Sequence, residues 1–161
     1  MSVPNFLDIE YCQTDDALFP TAMAWSLDDG QMKTVVIAPD DAWIPDGETL
    51  PDVDLDYLYE QGVPLIELAQ VLHEDLPDRT VYADGLDPDE ILVDLIFDAV
   101  ALDCPFEVAH VEELMPHLDR AELEDRRRDI MFSNGLDPQL PESGVYALLM
   151  LAQEEGLTGG R

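Results

Sequence analysis

Short apolar runs separated by turn residues dominate the first forty positions of the chain and indicate β-strands. Asp28-Asp29-Gly30, between the second and third runs, is typical of a hairpin turn. The first three runs therefore predict an antiparallel meander. The Pro- and Asp-rich stretch 39–56 has no period and predicts a loop. The predicted strands are residues 5–10, 21–27, 32–38, 79–83 and 106–109.

Helical spacing of apolar residues begins after Gly62 and recurs to the end of the chain. Asp87-Pro88-Asp89-Glu90 is a good helix opening, because an Asp cap and acidic first-turn residues satisfy the exposed amides and the helix dipole. Gly156 fits the end of the last helix. The order βββαβαβα predicts one α/β domain over residues 1–161, with a mixed sheet flanked by helices. The predicted helical stretches are residues 57–61, 64–76, 87–99, 142–155 and a polar region, 110–128, broken near Pro116.

Acidic residues outnumber basic ones by a wide margin. The 161 residues include 37 Asp and Glu but only 7 Lys and Arg, a net charge of −30, while 47% of the residues are hydrophobic. The apolar fraction is ordinary, so we expect a folded chain rather than a disordered one. An acidic surface repels phosphate and argues against a polybasic nucleic-acid binder. A salt-adapted surface, a phosphate-mimicking interaction surface and metal-binding carboxylates all stay open as explanations.

Nothing in the sequence predicts export or membrane insertion. The first five residues carry no basic side chain, and nowhere do about 18 uncharged apolar residues follow one another. Cys12 and Cys104 lie far apart with no His or second Cys nearby, which favours buried thiols over a disulfide or a zinc site. We therefore expect a cytoplasmic protein.

Two acidic residues interrupt the first predicted strand. Asp8 and Glu10 are two positions apart, so their side chains point to the same face of a strand. A carboxylate pair on an apolar central strand is unfavourable unless a cation or hydrogen bonds compensate it. The pair is therefore a candidate metal site, although Asp-x-Glu alone is a weak signal in so acidic a chain.

Three segments of the chain form a pattern when they are taken together: Phe6-Leu-Asp-Ile-Glu10 with the meander after it, Val81-Tyr-Ala-Asp-Gly-Leu-Asp-Pro-Asp89-Glu-Ile-Leu, and Cys104-Pro-Phe106. This pattern resembles the DEDD-type 3′-to-5′ exonucleases. The resemblance covers nearly the whole chain and implies a ribonuclease H-like fold. Asp8 and Glu10 match the first motif of that family. Asp89 matches the second, at the start of a helix after the fourth strand, with Asp84 and Asp87 as nearby competitors.

The resemblance also implies two-metal phosphodiester hydrolysis with Mg²⁺ or Mn²⁺ as cofactor. These hard cations take oxygen ligands, and two of them about 4 Å apart activate water and stabilise the leaving oxygen while a His accepts the proton. The implied metal ligands are Asp8, Glu10 and Asp89. The implied substrate is the 3′ end of a single-stranded nucleic acid, and pairing into a homodimer is common among similar exonucleases.

The third family motif, His-x4-Asp on the last helix, is missing from this chain. Glu142 stands where the His is expected and Ala147 where the last Asp is expected. Alanine offers no ligand, and Glu142 remains a catalytic candidate only as a different kind of base or ligand. Another His-x4-acid pattern, from His117 to Glu122, comes too soon after Asp89.

The remaining histidines and the basic residues carry weaker signals. His73 and His110 are expected on helix surfaces rather than as ligands. Arg126-Arg-Arg128 is flanked by acidic residues at helical spacing, so local ion pairs are expected, with a phosphate contact as the alternative.

Two functions stay open on the sequence. The first is a metal-dependent 3′-to-5′ exonuclease with an atypical third motif. The second is a catalytically inactive, acidic interaction or regulatory protein of the same fold, whose charged surface meets a basic protein partner. The retained Asp8, Glu10 and Asp89 favour metal binding, and the missing His and Asp favour loss of turnover. The sequence favours an exonuclease-like protein and leaves its activity open.

Overall fold

Five strands form one mixed sheet in the part of the chain that the computed structural model describes, residues 3–45, 50, 53–83 and 88–157. The strands are β1 (Asn5–Gln13), β2 (Leu18–Ser26), β3 (Met32–Val36), β4 (Arg79–Ala83) and β5 (Phe106–His110). Their order across the sheet is β3-β2-β1-β4-β5. The first three strands are antiparallel, and β4 and β5 run parallel to β1. The predicted meander is confirmed, with Gly30 at φ +85° in its second turn.

Helices follow in the order that the sequence predicts. They are α1 (Leu55–Gln61), α2 (Leu65–Asp75), α3 (Asp89–Ala99), α4 (Arg120–Ser133) and α5 (Pro141–Glu154), with 3₁₀ turns at Asp41–Trp43 and Val111–Glu113. Within the predicted loop 39–56, a 3₁₀ turn forms and α1 already begins at Leu55, where Asp54 caps the helix by accepting a hydrogen bond from the Tyr57 amide at 3.1 Å. Asp87, the expected cap of α3, lies outside the described residues.

The polar region after β5 differs from the single broken helix predicted for it. His110 ends β5 and is buried, and its ring nitrogen Nδ1 accepts from the Glu112 amide at 3.1 Å to start the 3₁₀ turn. The expectation that His110 lies on a helix surface is therefore wrong. Helix α4 begins only at Arg120, where Asp119 and Glu122 form a reciprocal capping box.

The two faces of the sheet carry separate cores. Leu7 and Ile9 of β1 pack with α2 and α3 on one face, and Phe6 packs with α4 and α5 on the other. This division follows from the two-residue alternation of side chains along a strand. Asp8, two residues after Phe6, therefore points to the face that α4 and α5 cover.

Helix α5 lies directly against the meander. It contacts β1, β2 and β3, and Pro141 begins it while Gly156, at φ +75°, follows its end. Small residues on its buried side, including Gly144 and Ala147, let the helix backbone approach the sheet.

Two further expectations concern the cysteines and the membrane. Cys12 is buried and Cys104 is half-buried, and neither forms a disulfide. Among the described residues, no helix is both long and apolar enough to cross a lipid bilayer.

Candidate functional site

Asp8 lies near the middle of the sheet with its carboxylate beneath the two covering helices. It stands opposite Ala24 of β2, and its side chain is only 15% exposed. The neighbours Leu7 and Ile9 point into the opposite core, as the alternation requires. The groups that α4 and α5 place over Asp8 therefore determine whether its carboxylate can bind a metal ion.

Gly144 of α5 covers the Asp8 carboxylate at very short range. A Cβ atom on residue 144 would lie 2.1 Å from Asp8 Oδ2 and 2.8 Å from Asp8 Cγ, well inside van der Waals contact. Glycine in a helix interior is destabilising by about 1 kcal/mol relative to alanine, so its presence here matches a need for close approach. The backbone of α5 thus occupies the space directly above this carboxylate.

Arg127 of α4 supplies a positive charge beside the same carboxylate. Its Nη2 atom is 3.7 Å from Asp8 Oδ2, and its side chain is 21% exposed. The same Nη2 would lie 2.8 Å from a Cβ on residue 144, so the guanidinium, the carboxylate and the glycine are packed together. Two unit charges at about 4 Å attract by about 4 kcal/mol at an effective dielectric constant of about 20. The partly buried charge of Asp8 is therefore compensated by an arginine.

Glu10 is in a different setting from Asp8. It is half-buried at the edge of a groove of about 470 Å³, which it lines together with Tyr11, Tyr57 and Pro141. The groove lies where β1, the start of α1 and the start of α5 meet. The two carboxylates predicted as one pair thus face a closed site and an open groove respectively.

Asp89 is the first residue of α3 and is buried, so a helix does open there after β4 as predicted. Within residues 3–45, 50, 53–83 and 88–157, no three His, Cys, Asp or Glu side chains form a group that could hold a metal ion. Asp8, Glu10 and Asp89 all belong to those ranges. Asp84 and Asp87, the competitors for the second motif, lie outside them.

The residues at the third motif occupy α5. Glu142 is partly exposed in its first turn, and Ala147 is fully buried in the core between α5 and the sheet. Gly144, between them, is the residue that meets Asp8. Sequence reasoning missed this residue, although a glycine inside an amphipathic helix was a usable signal.

His117 and His73 contact the end of α5 and the segment before β5, respectively. His117 contacts the Glu155 carboxylate at the end of α5, and Glu122 serves the cap of α4. His73 hydrogen-bonds the Asp103 carbonyl at 3.0 Å on the opposite face of the sheet. The two ends of the alternative His-x4-acid pattern, His117 and Glu122, thus make structural contacts, one with the end of α5 and one in the cap of α4.

The arginine cluster mainly ties helices together. Arg126 donates to Glu155 at 2.6 Å and to Glu154 at 2.7 Å, and Arg128 makes a local pair with Asp125 at 3.3 Å. The prediction of local ion pairs is therefore right for Arg128 and wrong for Arg126. The hydrogen bond from Arg126, and next the contact with His117, lowers the pKa of Glu155 below its ordinary range.

Every Lys or Arg side chain that the structure describes contacts a carboxylate. The cations are Lys33, Arg79, Arg120, Arg126, Arg127 and Arg128, and their respective partners are Asp75, Asp28, Glu112, Glu154 with Glu155, Asp8 and Asp125. The seventh basic residue, Arg161, lies outside the described ranges.

The arrangement around Asp8 does not fit a pair of divalent ions. An ion bound by Asp8 would share its ligand with the Arg127 guanidinium and would compete for space with the backbone at Gly144. Ala147 adds no oxygen ligand, whereas Mg²⁺ and Mn²⁺ are bound by sets of oxygens.

Comparison with known proteins supports the fold. Neither a protein-family model nor a curated protein sequence matches the chain. Among solved structures, Escherichia coli exonuclease I in complex with a dA16 oligonucleotide is similar at a TM-score of 0.66 and 16% identity, over 95% of this chain and 40% of that one. Its complex with a 5cy-dA13 oligonucleotide gives 0.64 at 16% identity over the same shares. A chain in the structure of the yeast NOT1 MIF4G domain co-crystallised with CAF1 gives 0.61 at 11% identity, over 97% of this chain and 81% of that one. These likenesses and the five-stranded mixed sheet confirm the ribonuclease H-like α/β fold.

Proposed function

We propose that this chain is an exonuclease-fold protein that does not hydrolyse nucleic acid and that acts by binding a basic protein partner. The observation that carries the proposal is the Asp8 carboxylate, held beside Arg127 and beneath Gly144. In two-metal hydrolysis the equivalent negative charge would bind a cation that activates water. Here a guanidinium, which cannot bind or activate water as a Lewis acid, compensates that charge.

Electrostatic repulsion adds to the argument. A divalent ion on Asp8 would lie within a few ångströms of the Arg127 guanidinium, and like charges at that range are strongly unfavourable in a partly buried site. Arg127 would have to move before the ion could bind, and α5 would still cover Asp8 at Gly144. Binding of an ion at Asp8 would therefore require the Arg127 side chain to move and α5 to shift away from the carboxylate.

The surface charge favours a basic protein over nucleic acid as the partner. Binding of nucleic acid depends on Lys and Arg side chains that neutralise phosphates. Six of the seven such residues of this chain already contact carboxylates, while the net charge is −30. An acidic surface of this strength steers a basic partner toward it and rejects acidic ones. One similar structure is itself a protein–protein complex, of a NOT1 MIF4G domain with CAF1.

A second candidate function is the metal-dependent 3′-to-5′ exonuclease. Asp8 and Glu10 on β1, and Asp89 at the start of α3, favour it, as does the likeness to exonuclease I bound to oligonucleotides. In that case Asp8, Glu10 and Asp89 would hold Mg²⁺ or Mn²⁺, and Glu142 would replace the missing base. The cytoplasmic location and the homodimer stay predictions under both candidates.

A nuclease assay and a binding assay together test the proposal. Labelled single-stranded DNA and RNA are incubated with Mn²⁺ or Mg²⁺ and either the intact chain or Asp8→Ala, and the labelled peptide Gly-Ser-Arg-Gly-Arg-Ser-Arg-Gly-Arg is titrated with the same proteins. We expect no shortening of either nucleic acid and saturable binding of the peptide. Shortening by the intact chain that disappears in Asp8→Ala would establish the second candidate and refute the first.

A further inference from the structure

The groove beside Glu10 combines exposed aromatic rings with acidic side chains. Five of its lining residues define what we call the tyrosine groove: Glu10, Tyr11, Asp54, Tyr57 and Leu140. Tyr11 is 42% exposed, Tyr57 51% and Leu140 45%, although large apolar side chains are usually more buried. Clustered exposed aromatics around a concave surface commonly mark a binding site.

The backbone of β1 and the first turn of α1 position the side chains on the two sides of this groove. The pairing of β1 with β2 shifts register between Glu10 and Tyr11, and such a bulge lets two consecutive residues line one groove instead of opposite faces. Across the groove, the Asp54 side chain accepts from the Tyr57 amide at 3.1 Å and so fixes the first turn of α1. The tyrosines and carboxylates are therefore held by regular structure on both sides.

We propose that the tyrosine groove binds an arginine side chain of the basic partner, with the guanidinium between the Tyr11 and Tyr57 rings and near the Glu10 and Asp54 carboxylates. This proposal rests on the proposed function and names the place where the partner is recognised. Cations are attracted to the faces of aromatic rings, and arginine also stacks on them through its planar group. The aliphatic part of the arginine would pack on Leu140.

Charge excludes the other obvious occupants. Among the described residues that line the groove there is no Lys, Arg or His, and a phosphate group there would be repelled by the Glu10 and Asp54 carboxylates. A second copy of this chain would bring another net charge of −30 to the same surface. A positively charged side chain is therefore the ligand that matches both the rings and the carboxylates.

Paired variants on one helix test the groove directly. The same labelled four-arginine peptide is titrated by fluorescence anisotropy with the intact chain, Tyr57→Ala and Tyr59→Ala. Tyr59 is 43% exposed on α1 but does not line the groove, so its variant is a matched control. We expect Tyr57→Ala to raise the Kd about 2- to 5-fold and Tyr59→Ala to leave it unchanged. Tyr57→Phe should bind like the intact chain, whereas Tyr57→Leu should bind like Tyr57→Ala.

A second pair separates local recognition from the overall negative charge. Glu10→Gln and Glu67→Gln remove the same charge, but only Glu10 lines the groove, while Glu67 is exposed on α2. We expect Glu10→Gln to weaken peptide binding more than Glu67→Gln does. Equal Kd values within each pair, with the peptide still bound, would overturn the groove and leave the proposed function standing. Absence of peptide binding by the intact chain would overturn both.

Discussion

Replacing Gly144 by alanine should destabilise the protein, against the usual effect of this change in a helix. In an ordinary helix interior, Gly→Ala stabilises by about 1 kcal/mol. Here the new Cβ would lie 2.1 Å from Asp8 Oδ2 and 2.8 Å from Arg127 Nη2, so the carboxylate or the helix must move. Overpacking of this kind typically costs about 1–3 kcal/mol. With the helix gain subtracted, we expect the free energy of unfolding to fall by up to about 2 kcal/mol.

The magnitude depends on Asp8, so a double-mutant cycle isolates the cause. In an Asp8→Ala background the closest atom is gone, and the end of the Arg127 side chain can move aside. Gly144→Ala should then stabilise by about 1 kcal/mol, which gives a coupling free energy of about 1–3 kcal/mol between the two positions. Urea unfolding of the four proteins, compared at equal slope, measures it.

A second background controls for the loss of an acidic residue. Asp94 is exposed on α3, on the other face of the sheet, and Asp94→Ala removes the same charge far from Gly144. Gly144→Ala should remain destabilising in that background. Stabilisation by Gly144→Ala in the intact chain, or the same effect with and without Asp8, would refute the reasoning that α5 packs on this carboxylate.

Three further outcomes follow from the same contacts. Asp75→Ala should cost about 1–3 kcal/mol in urea unfolding and change the tryptophan fluorescence, because the buried Trp25 indole donates to Asp75 at 2.9 Å, whereas Asp75→Asn should lose less. The intact chain should be more stable than Glu155→Gln above pH 4.5, the ordinary pKa of this carboxyl group. The Arg126 hydrogen bond lowers the pKa of Glu155 in the folded state, so this advantage should disappear as the pH falls through that lower pKa, which thermal unfolding at a series of pH values measures. Adding NaCl to about 1 M should raise the urea midpoint, because salt screens the self-repulsion of a chain with a net charge of −30, and an unchanged or lower midpoint would contradict that.

The strands and most helices could be predicted because their signals are local. Alternation over β1, the turn ending at Gly30 and the apolar spacing of α2 and α5 each depend on residues close together in the chain. Even so, the start of α1 was missed, because its cap, Asp54, was one acidic residue among many in an acidic stretch. The short apolar run at β5 similarly gave no signal that His110 would be buried at its end.

The arrangement around Asp8 could not be predicted, because it depends on contacts between distant parts of the chain. Helical spacing favours pairing of Arg127 with acidic neighbours on α4, and nothing in that spacing points to a strand near the amino terminus. The pairing arises from the packing of α4 and α5 over the sheet. Alternation correctly placed Asp8 and Glu10 on one face, yet the helices cover one of them and leave the other in a groove.

Binding of Mn²⁺ measured by electron paramagnetic resonance tests the central claim, that Arg127 rather than a metal ion compensates Asp8. We compare the intact chain with Asp8→Asn and Asp94→Asn. Each variant loses one negative charge, so the general attraction of cations to the acidic surface is the same in both. We expect Asp8→Asn and Asp94→Asn to bind Mn²⁺ with the same curve. A tight site present in the intact chain and in Asp94→Asn but absent from Asp8→Asn would contradict it.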